Sequence, residues 1–210
     1  MLAVLFVSAP VFALNAVTQD DKSCNAQRAA FEEDVKTMCN QPAGIIQYVL
    51  INMADPMGGL SDEQVQDDAI CYATFHVNGM YLVDFVRANA DVFRQQVGEE
   101  ERSGKGLDYL RDKALNFANR VEKISKQNAL DNIASHDNDS WLVQYVLENL
   151  ADPMTQLTDE KATPKAKVYK QLKVRAQPLL EFVRQQSRNS STNVAEDLNT
   201  FAIRVESLSK

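Results

Sequence analysis

GIIQYVLINMADPMGGLSDE, residues 44–63, returns as WLVQYVLENLADPMTQLTDE, residues 141–160, an offset of 97 (141 − 44). The match continues beyond these twenty positions. Tyr72 pairs with Tyr169, and Phe85-Val86-Arg87 pairs with Phe182-Val183-Arg184 at the same offset. Further on, Arg120-Val121-Glu122 matches Arg204-Val205-Glu206 at an offset of 84 (204 − 120). The first copy therefore carries 13 extra residues (97 − 84), placed most simply around GEEERSGKG, residues 98–106. That segment is polar and contains glycine, as a surface loop should be. A collinear match of this kind points to tandem duplication of one unit.

The apolar residues of both copies recur at helical spacing. Leu107, Leu110, Ala114, Phe117, Val121 and Ile124 form a 3-4 seam, and Val194, Leu198, Phe201, Val205 and Leu208 repeat it. Such a seam is the buried stripe of a helix in a bundle. The reading is all-α: two copies of a helical-bundle unit, either joined by one long helix that runs on through residues 126–133 or packed compactly against each other. Copy one is expected to hold helices near 22–39, 43–54 and 62–97, with the connecting helix from about 106.

In the middle helix, Ser61-Asp62-Glu63-Gln64 makes a capping-box pattern, and Thr158 takes the cap position in copy two. Gly79 and Pro178 stand at nearly matching places in the two middle helices and predict a bend there, sharper at the proline. Asp55-Pro56 and Asp152-Pro153 read as helix stops, because the residue before proline avoids helical geometry. Met57 and Met154 then cover the turns as apolar filler.

These features organise the chain into three segments. Residues 1–16, MLAVLFVSAPVFALNA, are apolar, uncharged and end in small residues. They read as a signal peptide cleaved after Ala13 or Ala16, although no Lys or Arg precedes the apolar run. Residues 17–126 and 127–210 are the two repeats. The leader implies a secreted, extracellular product, and no second apolar run has the ~20 residues needed to span a bilayer.

The chain has 45% hydrophobic and 24% charged residues and a formal charge of −7, with a pI near 4.9. An acidic surface repels phosphate backbones, so nucleic acid is not an expected partner.

Three cysteines, Cys24, Cys39 and Cys71, all fall in copy one. Cys24 and Cys39 lie fifteen residues apart on one expected helix, ~22 Å, which is too far to bond. From Cys39 the chain descends a short helix and climbs about ten residues of the next, which favours a Cys39–Cys71 bridge over Cys24–Cys71. Cys24 would then be free or would link two chains. Asn138 and Asn189 each begin a glycosylation triplet.

No catalytic residue, cofactor or metal is expected. His76 and His136 are the two histidines, and neither sits in a ligand spacing. The chain has no nucleophile elbow, P-loop or dinucleotide glycine pattern. The expected role is therefore non-enzymatic: binding of an extracellular protein partner. The alternative is carriage of a lipid or other small hydrophobic ligand inside a bundle. Tyr72, Phe75, Met80, Phe85, Tyr169 and Phe182 are the candidate lining of such a pocket, against the plainer reading that they are core.

Overall fold

The computed structural model describes residues 21–37, 41–96 and 105–210. The leader, Cys39 and most of the expected 98–106 loop lie outside the described residues. The described residues are mostly helical, with two short hairpins, so the all-α reading holds.

After α1, Asp21–Thr37, the chain enters α2, Pro42–Val49. Pro42 opens this helix, where its missing N–H is not needed. The helix does not stop at Asp55-Pro56. It widens into a π turn over Leu50–Ala54, in which the Asp55 N–H reaches back five residues to the Leu50 carbonyl. It then continues as α3, Asp55–Met57. A proline ring clashes with the carbonyl four residues back and lacks a donor, and a widened turn just before it relieves both demands. The second half does the same: α8, Asp139–Val146, a π turn at Leu147–Ala151, then α9, Asp152–Thr155. In each π turn an asparagine amide donates to a tyrosine carbonyl one turn back, Asn52 to Tyr48 at 3.1 Å and Asn149 to Tyr145 at 3.3 Å. Met57 and Met154 are buried beneath these segments, as expected.

The expected middle helix is broken in both halves. In the first, α4 spans Gln66–Tyr72 and α5 spans Leu82–Ala88. Ser61 and Gln64 exchange both bonds of the capping box, at 2.9 and 3.3 Å, one turn ahead of α4. Between α4 and α5 the chain folds into a hairpin, β1 His76–Val77 against β2 Met80–Tyr81. Asn78 (φ 51°) and Gly79 (φ 80°) form its two-residue turn. Positive φ at both positions is what a type I′ hairpin turn requires, and Asn-Gly is its favoured sequence. Gly79 therefore reverses the chain rather than bending a helix.

The second half has the same hairpin between α10, Asp159–Tyr169, and α11, Leu179–Asn189. Here β3 Lys173–Val174 pairs with β4 Gln177–Pro178, and the turn is Arg175 (φ 49°) and Ala176 (φ 68°). Pro178 breaks no helix. It faces Lys173 in the register and caps α11. The Leu179 N–H supplies the next ladder bond, 2.9 Å to Leu172. Alternation along the ladder makes Lys173–Pro178 a non-bonded pair, so proline forfeits no donor there.

After α5 comes α6, Val92–Gln96. α7, Lys105–Ala134, is one unbroken helix of 30 residues, and α12, Thr192–Leu208, closes the second half. The proposed boundary at 126/127 lies inside α7. Its Ala114, Phe117, Ala118, Val121 and Ile124 enter a core with Phe31, Ile45, Leu82 and Val86. Its Leu130 and Ile133 enter another, with Leu142, Leu150, Tyr169 and Val205. Burying a large aliphatic side chain contributes roughly 1.5–3 kcal/mol, so one helix anchors both cores.

The disulfide joins Cys24 to Cys71, with Cα atoms 5.5 Å apart. This overturns the Cys39–Cys71 pairing and leaves Cys24 no thiol for a second chain. The descending arm from Pro42 runs on through the π turn to Met57, longer than the expected helix 43–54. Cys71, at the end of the short α4, therefore comes level with the start of α1. Arg28 holds the same junction through Thr74 at 2.7 Å.

Candidate binding face

The repeated Arg-Val-Glu and Phe-Val-Arg triplets place residues with separate tasks. Arg120 donates to the carbonyls of Met57 and Leu60, both at 2.6 Å, and to Asp62 at 2.9 Å, closing the turn after α3. Arg204 does likewise with Leu157 at 2.6 Å and Asp159 at 3.2 Å. The Arg120 bond, helped by the Lys123 amine, holds the Asp62 carboxyl below the usual range against the opposing effect of desolvation. Val121 and Val205 are fully buried. The glutamates, one residue on, meet different surroundings in the two halves.

Glu122 of α7 is buried with charged partners from two other helices. Arg87 of α5 donates to it at 2.5 Å, and Lys165 of α10 lies at 3.1 Å. The Tyr169 hydroxyl donates to it at 3.3 Å. Asp84 receives Lys165 at 2.8 Å and Arg87 at 3.4 Å, while Asn119 accepts from Arg87 at 2.9 Å. Burial by itself would raise the Glu122 pKa. The Arg87 and Lys165 charges outweigh it, and the carboxyl ionises below its ordinary range. Nearby, burial lowers the Lys126 amine, partly offset by Glu122. Lys126 also sits over the Tyr145 ring, 5.9 Å from its centroid. Burial and the Glu122 charge push the Tyr145 and Tyr169 hydroxyls well up. An ionised carboxylate locked between two cations cannot serve as a proton donor at neutral pH, so this cluster works as a clamp between the halves.

The second half carries the same residue types on its own surface. At the repeat offsets, Glu181 corresponds to Asp84, Arg184 to Arg87, Glu206 to Glu122 and Lys210 to Lys126. Arg184 and Glu206 pair at 2.5 Å with side chains 46% and 39% exposed, against 8% and 4% for Arg87 and Glu122. Glu181 and Lys210 are exposed. Ile203, 64% exposed, stands where Asn119 does. The face that α10 covers in the first half is thus open in the second.

A groove of about 390 Å³ lies elsewhere, where α7 passes the first π turn. Asp55, Met57, Tyr109, Lys113 and Arg120 are among its walls. Lys113 is paired with Asp55 across it. None of the six residues read as pocket lining borders it. Phe75, Phe85, Tyr169 and Phe182 are buried in the two cores. Phe75 stacks on Phe31 at 5.2 Å, and Tyr169 meets Phe201 at 6.1 Å. Tyr72 is half-buried against Phe75, its hydroxyl pushed up to about 12 by burial. Met80 lies exposed on the first hairpin.

Asn138 spends its amide oxygen capping α8, accepting from Ser140 at 3.0 Å and Trp141 at 3.3 Å. Asn189 is exposed at the end of α11. His76 lies against Tyr81 and His136 near Trp141, both at the surface. Among the described residues no group of three or more His, Cys, Asp or Glu is placed to hold a metal. Among the same residues, no helix is long and apolar enough to cross a membrane.

Sequence reading missed Arg87, Glu122 and Lys165 as a cluster. The signal was present, since two of the three lie in triplets that recur in both halves of the sequence. Comparison with protein families, curated proteins and solved structures finds no match to this chain.

Proposed function

We propose that this chain is a secreted, non-enzymatic protein, built by tandem duplication of a helical unit, that binds an extracellular protein partner. The two units, residues 17–126 and 127–210, meet within α7. The recurrence of the π turn, hairpin and Arg clamp at the sequence offsets supports the duplication. The intrachain disulfide fits an oxidising compartment and accords with the leader-like residues 1–16.

One observation carries the binding reading. The Glu181, Arg184 and Glu206 face, with Ile203 in place of Asn119, corresponds to a face that, in the first half, is covered by a helix. An exposed isoleucine beside a defined ion pair is the composition of a small interface centre with a polar rim. The burial of the aromatic seams weighs against an internal lipid cavity.

The test is a photo-crosslinking residue at Ile203, with a control at the exposed Ile51 of the first π turn, in the fluid that receives the protein. Adducts with one protein at position 203 alone are the expected result. Equal labelling at both positions would sink the assigned face. Native mass spectrometry of the natural protein supplies the other arm. An added mass that leaves on organic extraction would turn the reading to a lipid carrier.

A further inference from the structure

The first half shows what completes this kind of face. Asp84 and Glu122 are two carboxylates facing one guanidinium, Arg87. The missing cation arrives from α10, where Lys165 reaches both acids at 2.8 and 3.1 Å. Tyr169, four residues on and so one helical turn away, adds its hydroxyl to Glu122 at 3.3 Å. In the second half Glu181, Glu206 and Arg184 repeat the two acids and the guanidinium. The substitution of Ile203 for Asn119 adds an apolar contact, 64% exposed, beside them.

Resting on the reading that this open face is the binding face, we propose that its occupant is a helix of a partner protein presenting a lysine and, four residues later, a tyrosine. The lysine ammonium sits between Glu181 and Glu206. The tyrosine hydroxyl donates to Glu206 while its ring covers Ile203. This chain's own α4 does not meet the description. Asp68 stands there at the position of Lys165 (165 − 97), with Tyr72 one turn on. A third carboxylate set between Glu181 and Glu206 would be repelled, so head-to-tail stacking of copies is disfavoured.

The experiment titrates the full-length chain with a helix-stabilised peptide of residues 159–172 and follows backbone amide shifts by NMR. Shifts centred on Arg184, Ile203 and Glu206 are expected. A Lys165→Glu peptide should bind about tenfold more weakly, the size expected for losing a close charge pair. The Glu206→Lys chain should lose the native peptide and regain the Lys165→Glu one. Shifts elsewhere, equal binding of both peptides, or self-association of the chain without peptide would overturn the proposal. A failed peptide together with a specific adduct at Ile203 would sink the lysine–tyrosine chemistry alone. Loss of the adduct as well would sink the binding face.

Discussion

Lys165 of α10 places its ammonium 3.1 Å from the Glu122 carboxylate of α7, so an ion pair closed over 43 residues of chain ties the two halves together. Removing the acid leaves two cations facing each other in a buried site. Glu122→Ala is expected to cost about 3 kcal/mol, the low end for breaking a buried pair because Asp84 still receives both cations. The check is the urea midpoint at unchanged slope. The carboxyl also titrates below its ordinary range. Its stabilisation is complete above ~4.3, the unfolded value, and is lost as pH falls through the lower folded value. The wild type should therefore lose stability below about pH 4, and Glu122→Ala should show a shallower acid limb.

Lys126 presents the opposite case. Its amine is desolvated, and its hydrogen bond to the Asn149 carbonyl is long, 3.5 Å. Lys126→Met keeps the stem and removes the charge, and should stabilise the protein by about 1 kcal/mol at neutral pH. The folded pKa is lowered, so the unfolded chain holds the proton longer and wild-type stability rises toward alkaline pH. The advantage of the variant should shrink there. A thermal melt series from pH 7 to about 10 reads both effects.

The Cys24–Cys71 bridge closes a loop with a sequence separation of 47. Loop-entropy reasoning puts its contribution at about 4 kcal/mol. A Cys24→Ala/Cys71→Ala chain should unfold at correspondingly lower denaturant. On non-reducing gels any wild-type band at twice the monomer mass should survive Cys24→Ala, because the pairing leaves only Cys39 outside the bridge. A strong dimer band abolished by Cys24→Ala would contradict the pairing.

The hairpin turns predict a pair of opposite effects. Ala176 holds φ 68° and Gly79 holds φ 80°. A β-carbon in that region costs roughly 1–2 kcal/mol. Ala176→Gly should recover about 1 kcal/mol, reduced by the greater freedom of glycine when unfolded. Gly79→Ala should lose a similar amount, although a β-carbon there meets nothing within 4 Å. Calorimetric melts of the two variants should move in opposite directions.

The helical seams and the shared helix were legible because 3-4 spacing reports burial directly. Leu107 to Ile124 read as one stripe and is one. The hairpins were not read, although Asn78-Gly79 is a strong turn signal. The apolar spacing carries through Phe75 and Leu82, so two short helices mimic one long one. In the second half Arg175-Ala176 gives no turn signal at all, since those residues hold positive φ under tertiary constraint. The Asp-Pro pairs misled for a related reason. A proline normally ends a helix, and the widened turn that accommodates it leaves no mark in residue spacing. The disulfide error followed from both lengths. The charged cluster is hardest to see, because its members come from three helices that only packing brings together.

α7 rises ~45 Å end to end at 1.5 Å per residue and supplies buried side chains to both cores. No peptide bond within it can be cut without stripping one core of its support. The halves are therefore not beads on a string. Among the described residues no linker separates them, and the partner proposed at Ile203 would be carried on a body whose two cores share one helix.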